Sequence, residues 1–161
     1  MSFQAKILSR EKLLEWREQL RSTNKKLVVT NGCFDLLHLG HVTYLENARN
    51  TGDALLVGIN ADASVRELKG PARPINNEHD RAAVTAALQA VDGVYIFAER
   101  AATNFLGLVK PDIYVKGGDY TLDTLNQEER RTVEAAGGKI VIIPFVPGKS
   151  TTATLEKISR L

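Results

Sequence analysis

The apolar run Leu27-Val28-Val29-Thr30 breaks into Asn31-Gly32-Cys33-Phe34-Asp35-Leu36-Leu37-His38-Leu39-Gly40-His41, and a helical pattern, Val42 to Arg49, follows at once. A strand, a tight turn and a helix in so short a span leave few folds open. Thr51-Gly52 stops the helix, and Ala54-Leu55-Leu56-Val57-Gly58-Ile59-Asn60 is almost continuously apolar, as expected for a strand covered on both faces of a parallel sheet. The result is a βαβ unit with a right-handed crossover. Its turn suits phosphate: the peptide N–H groups at a helix N-terminus point outward unpaired, and the helix dipole favours negative charge there. His38 and His41 share one face of the first turn and can donate to phosphoryl oxygens, while Gly40 lets a ligand approach the backbone closely. Two such histidines could also form half a metal site. Zinc usually takes three or four ligands, however, and Cys33 is the only cysteine, with no third histidine nearby.

The remaining chain repeats the alternation. Ser9 to Leu20 reads as an amphipathic helix, with Trp16 in the apolar set that docks it onto the body. After Asn60 come a short helical segment, Ala63–Leu68, and a stiff loop from Lys69 to Asn77 that holds two prolines. Glu78 to Ala90 reads as a helix, Val94–Phe97 as a strand, Thr103 to Val109 as a helix and Ile113–Val115 as a strand. Asn126 to Ala136 is a helix closed by Gly137-Gly138, Lys139–Pro144 a fifth strand, and Ala153 to Ile158 the last helix. The expected fold is α/β: a Rossmann-like open parallel sheet of five strands with helices on both faces. Residues 1–25 are expected to form an N-terminal helical extension and residues 26–161 the main domain.

Composition narrows the function classes. The 161 residues carry a net charge of only +2, without a basic arm, which argues against nucleic acid as a partner. No apolar run approaches the ~20 residues needed to span a bilayer, and the N-terminus lacks the apolar centre of a signal peptide. One cysteine rules out an intramolecular disulfide. A cytoplasmic protein without membrane association is expected.

In an open parallel sheet, ligands bind beyond the carboxyl ends of the strands. Candidates collect on that rim: His38 and His41, Asn60 and Asp62, Lys69 and Arg73, Lys116 to Asp119, and Ser150, Thr151 and Thr152 at a helix start. Asp62 suits a helix cap as well as a ligand contact. Arg81, a cation in a first helical turn, should point to an anion or a carboxylate. The rim is rich in phosphate donors and has no nucleophile paired with a general base. This favours direct in-line phosphoryl or nucleotidyl transfer. Gly148-Lys149-Ser150-Thr151 mimics the end of a P-loop, but its upstream glycine is missing.

Gly32-x-Phe34-Asp35-x-x-His38-x-Gly40-His41 resembles the signature of the cytidylyltransferase-like nucleotidyltransferases, and the likeness runs from about Leu27 to Ile158. The resemblance implies that His38 and His41 stabilise the α-phosphate under attack and that Lys69 contacts the nucleotide phosphates, all three as catalytic residues. It implies a nucleotide site made of Cys33, Phe34, Gly40, Arg73 and Ser150–Thr152 with those three. Asp35, Asn60, Asp62, Arg81, Lys116, Gly117 and Asp119 are then expected toward the acceptor substrate. No metal ligand is expected among the side chains, and Mg²⁺ is expected to arrive with the triphosphate. Lys116-Gly117-Gly118-Asp119-Tyr120 and Pro147–Thr152 look closest to bacterial heptose 1-phosphate adenylyltransferases. These join ATP to D-glycero-D-manno-heptose 1-phosphate, supplying ADP-heptose for lipopolysaccharide and related surface glycans. The resemblance further implies a homo-oligomer, here without the sugar kinase to which many such enzymes are fused. The alternative within the superfamily is a cytidylyltransferase using CTP and glycerol 3-phosphate or another small phosphoester.

Overall fold

The computed structural model describes residues 1–161. In chain order the elements are α1 (Phe3–Lys6), α2 (Arg10–Ser22), β1 (Leu27–Gly32), α3 (Leu39–Arg49), β2 (Ala54–Asn60), α4 (Asp62–Lys69) and α5 (Glu78–Ala86). They continue as β3 (Gly93–Phe97), α6 (Thr103–Val109), β4 (Ile113–Gly117), α7 (Gln127–Ala135), β5 (Lys139–Ile143) and α8 (Thr151–Ser159). All neighbouring strands run parallel, in the order β3-β2-β1-β4-β5. The expected five-stranded α/β sheet is present.

The period of two along each strand divides its side chains between two cores. Val28, Leu55, Val57 and Ile59 pack on one face with Leu45 and Ala48 of α3 and Ala82 and Ala86 of α5. Val29, Leu56 and Tyr114 pack on the other with Leu13 and Leu20 of α2, Phe105 and Leu106 of α6 and Val133 of α7. Every residue of β2 is buried, which accounts for its unbroken apolar sequence. The chain builds outward from β1 through β2 to β3, then returns to lay β4 on the other side of β1. That reversal opens a crevice at the carboxyl ends of β1 and β4, the place where such sheets bind ligands.

Several bounds shift from the sequence reading, that of α5 the most, and α1 is an additional short helix. Helix α5 stops at Ala86 although the alanine-rich pattern runs on to Ala90. Leu88 N–H turns back to Thr85 O and Val91 N–H to Leu88 O, and the Lys6 ammonium donates to the carbonyls of both Leu88 and Val91. The N-terminal residues pack closely against the sheet and α6. Leu8 N–H donates to Val94 O at 2.9 Å and covers the edge of β3. Trp16 lies against Gly93, where an added Cβ would come within 3.1 Å of its ring. Arg17, 4% exposed, donates to the carbonyls of Val109 and Lys110 at the end of α6 and pairs with Asp112 at 3.1 Å. No helix is long and apolar enough to cross a membrane.

If α2 belongs to the core, Leu13→Ala, at a fully buried position, should cost ~3 kcal/mol. Urea unfolding should then show one earlier transition for the whole chain. A separate early transition, or an unchanged midpoint, would show that α2 folds independently of the sheet.

Candidate active site

The crevice is a cavity of about 940 Å³ at the carboxyl ends of the strands. Its walls include Cys33, Phe34, Asp35, His38, Gly40, His41, Asn60, Lys69, Lys116, Gly117 and Ser150–Thr152 from the residues expected on the rim. The turn after β1 is tightly drawn: Phe34 takes a left-handed φ of 47°, and a Cβ on Gly32 would stand 3.0 Å from its ring. Phe34 is buried and leans on His41 with ring centroids 5.3 Å apart, so it supports the imidazole from below.

His38 is the N-cap of α3, and its ring stacks on that of His41 with centroids 3.9 Å apart. The ring folds back over Gly40, where a Cβ would approach its Nδ1 to 2.9 Å. Glycine is therefore required for the stacking as well as for ligand approach. His38 N–H donates to His41 Nδ1 at 3.4 Å. A neutral imidazole accepting at Nδ1 carries its proton on Nε2, which leaves His41 a donor. His38 Nδ1 is buried without a protein partner. Burial foremost, then the charges of His38 and Lys69, push His41 down to about 4. Burial and Lys149 lower His38 as well. Both rings are neutral donors at pH 7.

Helix α8 presents its N-terminus to the same cavity. Ser150 Oγ accepts from Ala153 N–H at 3.0 Å, and Thr151 Oγ1 donates to Leu36 O at 3.2 Å, tying α8 to the histidine turn. Thr152 alone keeps an unspent hydroxyl, where capping by Ser150 by itself would have left two. Lys69, at the end of α4, and Lys149, before α8, add two cations to the lining.

Four expected site residues, Asp62, Arg73, Arg81 and Asp119, lie outside the cavity lining, and Asp35 explains one of them. The Asp35 carboxylate accepts from Ile75 N–H, Asn76 N–H and Arg73 Nε, at 2.8–2.9 Å, and so secures the loop from Gly70 to Asn77. Burial raises its pKa, but those three donors outweigh it and hold the carboxyl below its ordinary value. Asp35 thus reaches the wall with its carboxylate already occupied, and Arg73 is spent on it. Arg81, 1% exposed, donates to Asn76 O, Cys33 O, Asn60 O and Asp62 Oδ1 at 2.6–3.0 Å. It points to a carboxylate, as expected, that of Asp62, and the pair braces the site. Asp119 is exposed outside the cavity wall, whereas Tyr120 next to it lines the wall.

Several lining residues were not anticipated: Asn31, Tyr44, Arg100, Asn126, Glu129, Phe145 and Lys149. Tyr44 shares a hydrogen bond of 2.7 Å with Thr30 and donates to Val115 O, joining α3 to β1 and β4. Gly117 is wedged between Tyr44 and Phe145, both within 3.1 Å of where its Cβ would be. Lys116 Nζ lies 5.7 Å from the Tyr114 ring centroid and 5.1 Å from that of Tyr120. Burial lowers the Lys116 pKa, and Glu129 partly offsets this.

The depressed value of His41 has a consequence for folding. Between its ordinary value of 6.5 and about 4, the unfolded chain takes up a proton that the folded chain refuses. This contribution is therefore full above pH 6.5 and is lost as pH falls toward about 4. Melting temperatures of the ligand-free protein should drop more steeply over that window than those of His41→Asn. Parallel curves would contradict a neutral buried imidazole.

Comparison with known proteins agrees with this architecture. Residues 29–157 match the family model described as cytidylyltransferase-like. The bifunctional protein HldE of Koribacter versatilis is 50% identical over 154 residues, covering 96% of this chain and 31% of that protein. HldE of Pseudomonas fluorescens SBW25 is 51% identical over 152 residues, covering 94% and 32%. The chain thus spans about a third of the length of these relatives. The lipopolysaccharide core biosynthesis protein of Thermoplasma volcanium is 30% identical, with a TM-score of 0.62 over 76% of this chain and 97% of that one. Pantothenate synthetase of Thermus thermophilus, 19% identical with a TM-score of 0.58 over 88% of this chain and 62% of that one, shares the fold. With its stacked histidine pair at the β1–α3 turn and a match over nearly its whole length, the chain belongs to the cytidylyltransferase-like family.

Proposed function

We propose that this chain is a nucleotidyltransferase that moves AMP from ATP to D-glycero-D-manno-heptose 1-phosphate, giving ADP-heptose and pyrophosphate. The observation that carries the reaction type is the convergence of two helix N-termini and two neutral imidazole donors on one cavity. That array suits charge developing on an α-phosphate, and no nucleophile–base pair competes with it. An oxygen of the acceptor phosphate attacks the α-phosphorus, a new P–O–P bond forms, and the bond to the β-phosphate breaks with release of pyrophosphate. Lys69 and Lys149 are positioned for the departing phosphates. Support for the substrate comes from the heptose-type motifs at residues 116–120 and 147–152. The similarity to HldE and to a lipopolysaccharide core biosynthesis protein agrees with it.

Mg²⁺ fits as an ion brought by the triphosphate, where it would neutralise phosphate charge. No three His, Cys, Asp or Glu side chains converge to hold a metal, and protein donors already engage the Asp35 carboxylate.

Pyrophosphate release with Mg²⁺ tests the proposal, crossing ATP and CTP against heptose 1-phosphate and glycerol 3-phosphate. Turnover is expected with ATP and heptose 1-phosphate, and His38→Ala or His41→Ala should each lower it ~100- to 1000-fold while the fold persists. Lys69→Ala should weaken use of ATP. Turnover only with CTP and glycerol 3-phosphate would overturn the substrate, and full activity in both histidine variants would overturn the mechanism.

A further inference from the structure

One wall of the cavity differs in chemistry from the histidine turn. Glu129 of α7 is 6% exposed yet lines the cavity, with Asn31 at the end of β1, Lys116 at the end of β4 and Asn126 at the cap of α7. Glu129 Oε1 accepts from Ala102 N–H at 2.8 Å. The fully buried Tyr114 hydroxyl faces Glu129 Oε2 at 2.9 Å and Asn31 Oδ1 at 2.7 Å. One phenolic proton cannot fully satisfy two acceptors, and a carboxylate offers about four lone-pair sites. This wall therefore has acceptor capacity to spare. It also has donors to spare: neither Asn31 Nδ2 nor Lys116 Nζ donates to any protein acceptor.

Surplus acceptors beside free donors match a hydroxyl group, which donates one hydrogen bond and accepts others. A carboxylate in the wall repels phosphate, so the triphosphate is better matched by the histidines, Lys69 and Lys149. Phe145, against Gly117, and Val146 add an apolar surface to the same cavity, which suits a base.

We infer that Glu129 and Asn31, with Lys116, form a subsite that recognises the hydroxyl groups of the acceptor's sugar ring and selects a polyhydroxylated sugar phosphate over a short phosphoester. This rests on the nucleotidyltransferase reading above. Variants of the subsite are therefore expected to change acceptor affinity and to leave the use of ATP unaltered.

Two variants test it. In Glu129→Gln, the amide oxygen can still accept from Ala102 N–H and the amide NH₂ can face the Tyr114 oxygen, so the network survives while the charge is lost. In Asn31→Ala, the free amide donor is removed from the wall. Melting temperatures verify folding, and steady-state pyrophosphate release is measured with ATP and heptose 1-phosphate, each varied in turn. Both variants should raise the KM for heptose 1-phosphate ~10- to 100-fold and leave the KM for ATP within about twofold. Folded variants with an unchanged acceptor KM, or with both KM values raised together, would overturn the subsite while the activity stands. A parent chain that binds ATP but releases no pyrophosphate with any sugar phosphate would overturn the underlying reading, and the subsite with it.

Discussion

The guanidinium of Arg81 joins three segments that the cavity cannot do without: the histidine turn through Cys33 O, the end of β2 through Asn60 O and Asp62, and the loop after α4 through Asn76 O. Burying a cation is costly unless its donors are met, and here four oxygens within 3.0 Å take four of the five N–H groups. Without Arg81, three carbonyls and a carboxylate would lose their partner, each at ~1–3 kcal/mol. Asp35 repeats the device from the other side, holding Ile75, Asn76 and Arg73. The rim that presents Lys69 and the histidines is thus fixed by charges paired within the protein.

On this frame the cavity has two kinds of wall. Around the histidine turn, the N-termini of α3 and α8, two neutral imidazoles and two lysines supply donors. Elsewhere Glu129, Asn31 and Lys116 mix donors with acceptors. A reaction joining a triphosphate to a hydroxyl-rich phosphate needs both kinds of surface within one cavity. The histidines contribute as neutral donors because burial and mutual stacking disfavour their protonation. Placement therefore dominates here, and the pocket stabilises charge as it develops with little rearrangement.

Much of this was legible in the sequence where a residue's role follows from local pattern. The unbroken apolar run of β2 and the glycine-rich turns gave the sheet, and the histidine turn lies where strand meets helix. What stayed hidden depends on which way a side chain faces. Glu128, Glu129, Arg130 and Arg131 read as one polar stretch, and only the docking of α7 turns Glu129 inward. Asn31 stood at the rim rule's own position, one residue before Gly32, and could have been found there. Conversely, Asp62, Arg73 and Arg81 sit on the correct rim, but their partners are distant in sequence, so no spacing reveals that the protein consumes their charges. Asp119 follows a glycine pair in a promising motif, yet the left-handed turn at Gly118 leaves it in solvent.

The central claim is a direct displacement at the α-phosphorus, without a covalent nucleotidyl-histidine. The stereochemical course at that atom tests it most directly, using ATP made chiral at the α-phosphate by sulfur substitution and analysing the configuration of the ADP-sugar formed. Inversion is expected from a single in-line attack in the cavity between α3 and α8. Retention would mean two successive displacements, with an enzyme side chain carrying the nucleotidyl group, and would contradict the role assigned to His38 and His41.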